Sequence, residues 1–316
     1  VTHTPAHTPA QTSEPTLEAL AESIRASDDF RSLLNIAHHE DLGDRSLDLT
    51  GELMFTETDT RAVALTAREP CTIAGLAFIA PILERFTRPS ESVTIDLRAA
   101  DADRADKATT LATFTGSARA IVRAERTILN LVSRLSGIAT LTRAYSGAIA
   151  HTSARICDTR KTTPGWRTLE KYAVRCGGGT SHRMGLHDAL LIKDNHLAHL
   201  SESELLDRVT TAAAAHARKL GAAFVQVEVD TLAQLDTLLT LPPGTIDMVL
   251  LDNMTPSALA QAVEKRDTTN PALILEASGG VTLATVSAIA ETGVNRISIG
   301  ALTHQAQSVD LGFDTL

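Results

Sequence analysis

After residue 150 the sequence keeps one rhythm to its end. A short β-branched or Leu-rich run is closed by a polar or small residue and followed by a segment of helix length. The runs are 154–159, 189–193, 224–229, 248–251, 273–275 and 296–299. Their closing residues are Arg160, Lys193, Glu228, Asp252, Glu276 and Gly300, at successive intervals of 33, 35, 24, 24 and 24 residues. Runs this apolar are buried on both faces, which calls for a parallel sheet with helices packed over it. Six such units in series predict a β/α barrel, with functional groups at the carboxyl ends of its strands. An open doubly wound sheet has the same rhythm, because strand closure leaves no mark on the pattern.

The first half is built differently. Helical periodicity covers 17–26 and 30–38, and an apolar helix is expected over 73–86. Strand-like pieces at 62–67 and 93–97 fall among these helices without regular alternation, which suits a small α+β domain. The segment 118–135 is the clearest helix. Ile121, Ala124, Ile128, Val132 and Leu135 keep one apolar face, while Arg119, Arg123, Arg126, Asn130 and Arg134 line another. Four arginines on one row suit a solvated face, or equally an anionic ligand or a partner subunit.

Composition excludes several classes. The balance of 29 Lys and Arg against 38 Asp and Glu gives a net charge of −9, and aromatics are only 3%. A nucleic-acid binder needs the opposite field and stacking platforms, so none is expected. The longest mostly apolar stretch, 71–83, is too short to cross a bilayer. No charged and then apolar leader opens the chain, and Cys71, Cys157 and Cys176 match no zinc spacing. A cytoplasmic enzyme acting on a small metabolite is expected. Residues 1–16, rich in Thr, Pro and Ala, are expected to be a disordered tail.

Against this acidic background the segment 158–183 (DTRKTTPGWRTLEKYAVRCGGGTSHR) carries six Lys and Arg and two acids, a local +4. Arg167, Lys171 and Arg175 fit one face of a surface helix. Arg160 and Lys161 follow a strand, and His182 and Arg183 follow the triple glycine 177–179, so an anion site is the better reading of these four. Lys193 closes an apolar run in LIKDNH, as an anion clamp or a Schiff-base nucleophile. Glu228 and Asp252 end neighbouring runs, where lysine, ribose hydroxyls or Mg²⁺ are suitable partners. Ser278-Gly279-Gly280 and Ile299-Gly300-Ala301 each join a strand to a helix and suit a phosphate. Neither a P-loop nor a GxGxxG follows any run, so no redox cofactor is expected.

These residues lie in ERTILNLVSRLSGIAT, DTRKTTPGWR, GGGTSHR, LIKDNH, VEVD, LLDN, EASGG and GALTH, and in that order the chain resembles the quinolinate phosphoribosyltransferases from about residue 30 onward. The resemblance implies an α/β protein: an N-terminal α/β (α+β) sandwich at 17–135, then an open β/α barrel of the type II phosphoribosyltransferase kind at 136–316, with the C-terminal segment packing back on the first domain. It also implies a homodimer in which Arg126 is donated across the interface. Thr159, Arg160, Lys161, His182 and Arg183 would hold quinolinate, and Lys161 and Lys193 would face the pyrophosphate of phosphoribosyl pyrophosphate. Glu228 and Asp252 would meet ribose and Mg²⁺. The turns at 278–280 and 299–301, with His304, would take the 5′-phosphate. Ser181 stands where many bacterial members have Asn, and 41–50 follows the family only loosely. A Schiff-base lyase using Lys193, a phosphosugar sensor and a transferase for another pyridine acid remain as alternatives.

Overall fold

The computed structural model describes residues 15–193 and 219–316, with Glu204, Leu206, Asp207 and Val209 between them. Residues 1–14 of the expected tail, and Asp194, Asn195 and His196 of the LIKDNH motif, lie outside the described residues. The described chain divides into two compact units, one of 15–143, 161–178 and 301–316, the other of 144–160 and 179–300.

In the first unit α1 (Leu17–Ala26), α2 (Asp28–Leu42) and α3 (Leu49–Met54) open the chain. Thr16, Ser27 and Asp48 cap them, each side chain accepting the N–H three residues on, which satisfies donors the first helical turn leaves open. Strands β1 (Thr60–Ala67), β3 (Val93–Leu97) and β5 (Thr110–Ser117) form an antiparallel sheet, while β2 (Cys71–Thr72) and β4 (Arg104–Ala105) pair separately. The C-terminal strand β12 (Leu311–Thr315) completes the sheet in the order β12-β1-β5-β3, with Val63 opposite Thr315 and Ala67 opposite Leu311. The last residues of the chain thus belong to the N-terminal sheet. Phe30, Leu65, Phe78, Ile82, Phe86, Leu111 and Phe114 form its core.

The helix expected over 73–86 is shorter. Gly75 takes φ +108°, Leu76–Phe78 is a 3₁₀ turn, and α4 covers only Ile79–Phe86. Asp101 holds this entry by accepting the N–H groups of Leu76 and Ala77 and the hydroxyl of Tyr172. Conversely α5 (Ala118–Ala148) runs past the expected end at 135, so position 135/136 falls inside one helix. Two shorter helices of this unit are α6 (Arg167–Cys176) and α10 (Ala301–His304). Lys171 of α6 is buried rather than on a surface face.

In the second unit β6 (Arg155–Cys157), β7 (Leu190–Ile192), β8 (Val225–Val229), β9 (Met248–Asp252), β10 (Ile274–Ser278) and β11 (Arg296–Ser298) form a parallel sheet, β6-β11-β10-β9-β8-β7. That is the cyclic order of a barrel, with the strand pairing interrupted between β6 and β7 among the described residues. Thr180 makes an isolated parallel bridge to Cys157 on that open edge of β6. Helices α7 (Leu232–Leu239), α8 (Pro256–Thr269) and α9 (Val286–Ala290) connect the later strands. A Thr231–Gln234 capping box starts α7, and Thr255 with Pro256 starts α8, so local chemistry fixes where each strand gives way to helix.

Candidate active site

In VQVEV (β8) the valines alternate with Gln226 and Glu228, so the polar pair shares one face of the strand. Register places Glu228 level with Leu250, Glu276 and Arg296 across four adjacent strands. Gln226 and Glu276 both reach His182, which requires both to point to the same side of the sheet. His182 Nε2 lies 2.9 Å from Gln226 Oε1 and 3.3 Å from Glu276 Oε1, and Arg296 Nε lies 2.9 Å from Glu276 Oε2. Barrel interiors are ordinarily filled by branched apolar side chains. This one carries a buried polar network instead. Burial alone would push the Glu276 carboxyl up, yet His182 and Arg296 hold it below its ordinary value. Glu276 was expected to close its run, but β10 continues to Ser278 and takes Glu276 inside, fully buried.

His182 also fixes the chain beside it. Its N–H donates to Asp158 Oδ1 at 2.8 Å, and its Nδ1 accepts the Arg183 N–H at 2.8 Å. Arg183 is buried, with Nη1 donating to the Ala189 carbonyl at 3.1 Å. Asp188 ties the following loop by accepting the N–H groups of Met184 and Gly185. Although burial opposes its charge, those two donors hold the Asp188 carboxyl below its ordinary value. Burial, and then the like charge of Arg160, push the Arg183 guanidinium down. The Asp188 carboxylate acts the other way, and a buried guanidinium is a group that a carboxylate can pair with.

Lys193, directly after β7, lies with Nζ 2.9 Å from Glu228 Oε2. The lysine side chain is 44% exposed and the carboxylate only 7%. A Schiff-base lysine is desolvated, and this one is half exposed and ion-paired. Asp252 ends β9 and accepts Asn253 Nδ2 at 2.8 Å. Asn253 itself takes φ +53° and donates its N–H to the Ser278 carbonyl. Gly279, at φ +90°, has to be glycine, because a Cβ there would stand 2.1 Å from Asn253 Oδ1. Gly280 follows at φ +59° with open space around it. The Ser278–Gly280 turn therefore sits against the Asp252-Asn253 strand end. Ile299 is buried and its N–H is taken by the Cys157 carbonyl, with Gly300 next in the chain. Burial pushes the Cys157 thiol up to about 11, so it is no nucleophile at neutral pH.

Within the first unit the arginine row of α5 divides. Arg119 pairs with Glu52 and the Phe55 carbonyl, Arg123 with Glu91 and the Phe86 carbonyl, and Arg134 with Glu170 and the Ala306 carbonyl. Arg126 is exposed and makes no hydrogen bond or ion pair among the described residues. The triple glycine was expected to serve an anion site. Gly177 instead closes α6 against α5, where a Cβ would meet the Ala139 carbonyl at 2.5 Å, and Gly178 turns at φ +85°. Lys161 is exposed and its carbonyl accepts the Thr303 hydroxyl, while His304 is exposed at the end of α10.

The second unit thus brings together Arg160, Arg183 and the network beneath His182, pairs Lys193 with Glu228, and joins Asp252 to the Ser278–Gly280 turn. Thr159 is half-buried beside Arg160. Sequence reasoning missed Asp158, Gln226, Asn253 and Arg296. The signal for Gln226 was present, as polar residues at every second position inside an apolar run.

Known proteins resemble this chain along most of its length. A family model described as the quinolinate phosphoribosyl transferase C-terminal domain matches residues 138–314, and its N-terminal counterpart matches 48–136. The chain is 39% identical over 284 residues to nicotinate-nucleotide pyrophosphorylase (carboxylating) of Mycobacterium leprae, covering 90% of this chain and 96% of that protein. It is 36% identical over 296 residues to quinolinate phosphoribosyltransferase (decarboxylating) 1 of Nicotiana glauca, covering 90% and 81%. The solved nicotinate-nucleotide pyrophosphorylase of Ehrlichia chaffeensis superposes with a TM-score of 0.80 at 33% identity, over 91% of this chain and 98% of that one.

Proposed function

Because the chain belongs to the quinolinate phosphoribosyltransferase family, we propose that it transfers phosphoribosyl from phosphoribosyl pyrophosphate to quinolinate with decarboxylation. The products are nicotinate mononucleotide, pyrophosphate and CO₂, in pyridine-nucleotide biosynthesis. The observation that carries this reading is the buried Arg183 guanidinium, presented by a backbone that His182 and Asp158 hold, with Arg160 as its cationic neighbour. A planar dicarboxylate suits two neighbouring cations, because guanidinium groups bind carboxylates in a fork. Thr159, Lys161 and His182 are assigned to the same half of the site.

The ring nitrogen of quinolinate forms its bond to the anomeric carbon as the bond to pyrophosphate breaks. Glu228 is placed to stabilise the positive charge that develops on the sugar. Lys193, ion-paired with Glu228, is assigned to the departing pyrophosphate together with Lys161. The ribosylated nitrogen then accepts the electron pair released when the adjacent carboxylate leaves as CO₂, and a proton takes the carboxylate's place. Asp252 is assigned to the ribose hydroxyls. The turns Ser278-Gly279-Gly280 and Ile299-Gly300-Ala301, with His304, are assigned to the 5′-phosphate.

No cluster of three or more metal-ligating side chains occurs among the described residues. Mg²⁺ is commonly bound through one or two carboxylates plus substrate phosphates, and Glu228 and Asp252 fit that donor set. Bound there, Mg²⁺ would neutralise charge on the leaving pyrophosphate. The reading calls for no redox cofactor. Arg126 is assigned to the site of a partner subunit in a homodimer, supported by its exposure and its lack of a described partner. No described helix is long and apolar enough to cross a membrane, and three buried free thiols suit the reducing cytoplasm.

The test is a product balance. With quinolinate, phosphoribosyl pyrophosphate and Mg²⁺, pyrophosphate, CO₂ and nicotinate mononucleotide should accumulate in equal amounts. Borohydride should trap no adduct on Lys193. A trapped adduct with no pyrophosphate released would replace transferase chemistry by Schiff-base chemistry.

A further inference from the structure

The polar network inside the barrel has a direction set by hydrogen-bond chemistry. A neutral imidazole offers one donor and one acceptor. His182 Nδ1 is used as the acceptor, since it takes the Arg183 N–H at 2.8 Å. The ring proton is thereby assigned to Nε2, which hydrogen-bonds Gln226 Oε1 (2.9 Å) and has the Glu276 carboxylate as its ion-pair neighbour, Oε1 at 3.3 Å. Of these two, Gln226 is an ambiguous partner, because a rotated amide presents N–H in place of oxygen. Glu276 is an acceptor only. Arg296, 2.9 Å from its other oxygen, keeps the carboxylate charged in a fully buried place. Met248 Sδ lies 3.9 Å from Arg296 Nη1, and Phe224 stacks edge-on against His182 with ring centroids 5.4 Å apart. The ring is therefore packed as well as hydrogen-bonded.

We propose that Glu276 is a positioning residue for the dicarboxylate half of the site. It locks His182 in the Nε2–H form, which leaves Nδ1 free to accept the Arg183 N–H and so fixes the backbone presenting the Arg183 guanidinium. An amide at position 276 would be able to offer N–H to Nε2. The proton would then sit on Nδ1, facing the Arg183 N–H donor to donor, and the 182–183 peptide would have to turn. This inference rests on the assignment of Arg183 to quinolinate, and Glu276 need not touch any substrate.

Two variants separate positioning from plain stability. Glu276→Gln keeps the shape but leaves Arg296 without its counter-charge, whereas Glu276→Gln with Arg296→Met removes both buried charges and guards against misfolding. In each folded variant KM for quinolinate should rise tenfold or more, with KM for phosphoribosyl pyrophosphate within twofold of wild type. Nitrogen-15 spectra of histidine-labelled protein, with His182 assigned by loss of its signals in His182→Gln, should show a neutral Nε2–H ring in wild type and a changed tautomer in both variants. Wild-type quinolinate KM in the charge-neutral double variant would overturn the proposal. So would an unchanged Nε2–H ring in both variants, or an Nδ1–H ring in wild type. A wild-type enzyme that binds no quinolinate would overturn the functional reading instead, and the spectra would still decide the lock.

Discussion

Replacing Arg123 or Arg126 by alanine perturbs two residues one turn apart on α5, with opposite expected results. The Arg123 side chain is 1% exposed and pairs with Glu91, itself 7% exposed, while its Nε donates to the Phe86 carbonyl at 3.1 Å. Truncation leaves the Glu91 carboxylate buried without its counter-charge, which costs about 3–5 kcal/mol. Glu91 Oε2 also accepts the Arg88 N–H at 2.8 Å, which places the cost near the lower end, about 3–4 kcal/mol. At about 2–4 °C per kcal/mol for a domain of 150–250 residues, the melting point should fall by roughly 6–16 °C. Arg126→Ala removes an exposed side chain with no described partner, so stability should change by less than about 0.5 kcal/mol. If Arg126 completes a partner's site, activity should nonetheless fall at least about 100-fold, the scale of truncating one member of a close charge pair. Thermal unfolding paired with pyrophosphate release measures both. An Arg126→Ala protein that melts several degrees lower yet stays active, or an Arg123→Ala protein of wild-type stability, would refute this division of the row.

Further outcomes follow from the same geometry. Mixing Arg126→Ala with Lys193→Ala chains should restore part of the activity after subunit exchange, because one site in the heterodimer regains both residues, and native mass spectrometry would verify the exchange. Asp252→Asn should raise the Mg²⁺ concentration needed for half-maximal rate while calorimetry shows quinolinate affinity changed less than tenfold, about 1.4 kcal/mol. Gly279→Ala forces a Cβ to 2.9 Å from the Asn253 backbone nitrogen at φ +90°. Strain of about 1–3 kcal/mol should appear as a raised KM for phosphoribosyl pyrophosphate with little change for quinolinate.

Where the sequence was legible, the physics was local. Apolar runs marked all six barrel strands, since the strand face covered by helices has almost no room for polar residues. The extent of α1 and the apolar face of α5 were likewise written in periodicity. The end of α5 was misplaced, although Leu135, Ile138, Ala139, Thr142 and Tyr145 continue the helical spacing and are buried. Glu276 was misread as a strand end for a different reason. A carboxylate belongs inside a barrel only when Arg296 and His182, 20 and 94 positions away in the sequence, are folded against it. The arginine row shows the same limit. Periodicity put Arg123 and Arg126 together, and only the position of Glu91 separates a buried tie from an exposed cation.

The central claim is that Arg160 and Arg183 form a site for a dicarboxylate. Side-by-side turnover of quinolinate and nicotinate at equal concentration, with phosphoribosyl pyrophosphate and Mg²⁺, tests it most directly. A monoacid leaves one of the two guanidinium groups without the carboxylate assigned to it, and sites built to hydrogen-bond a substrate group reject analogues lacking it by about 10⁴-fold or more. The prediction is ready turnover of quinolinate and nicotinate turnover lower by at least about 100-fold. Comparable rates for the two acids would contradict it.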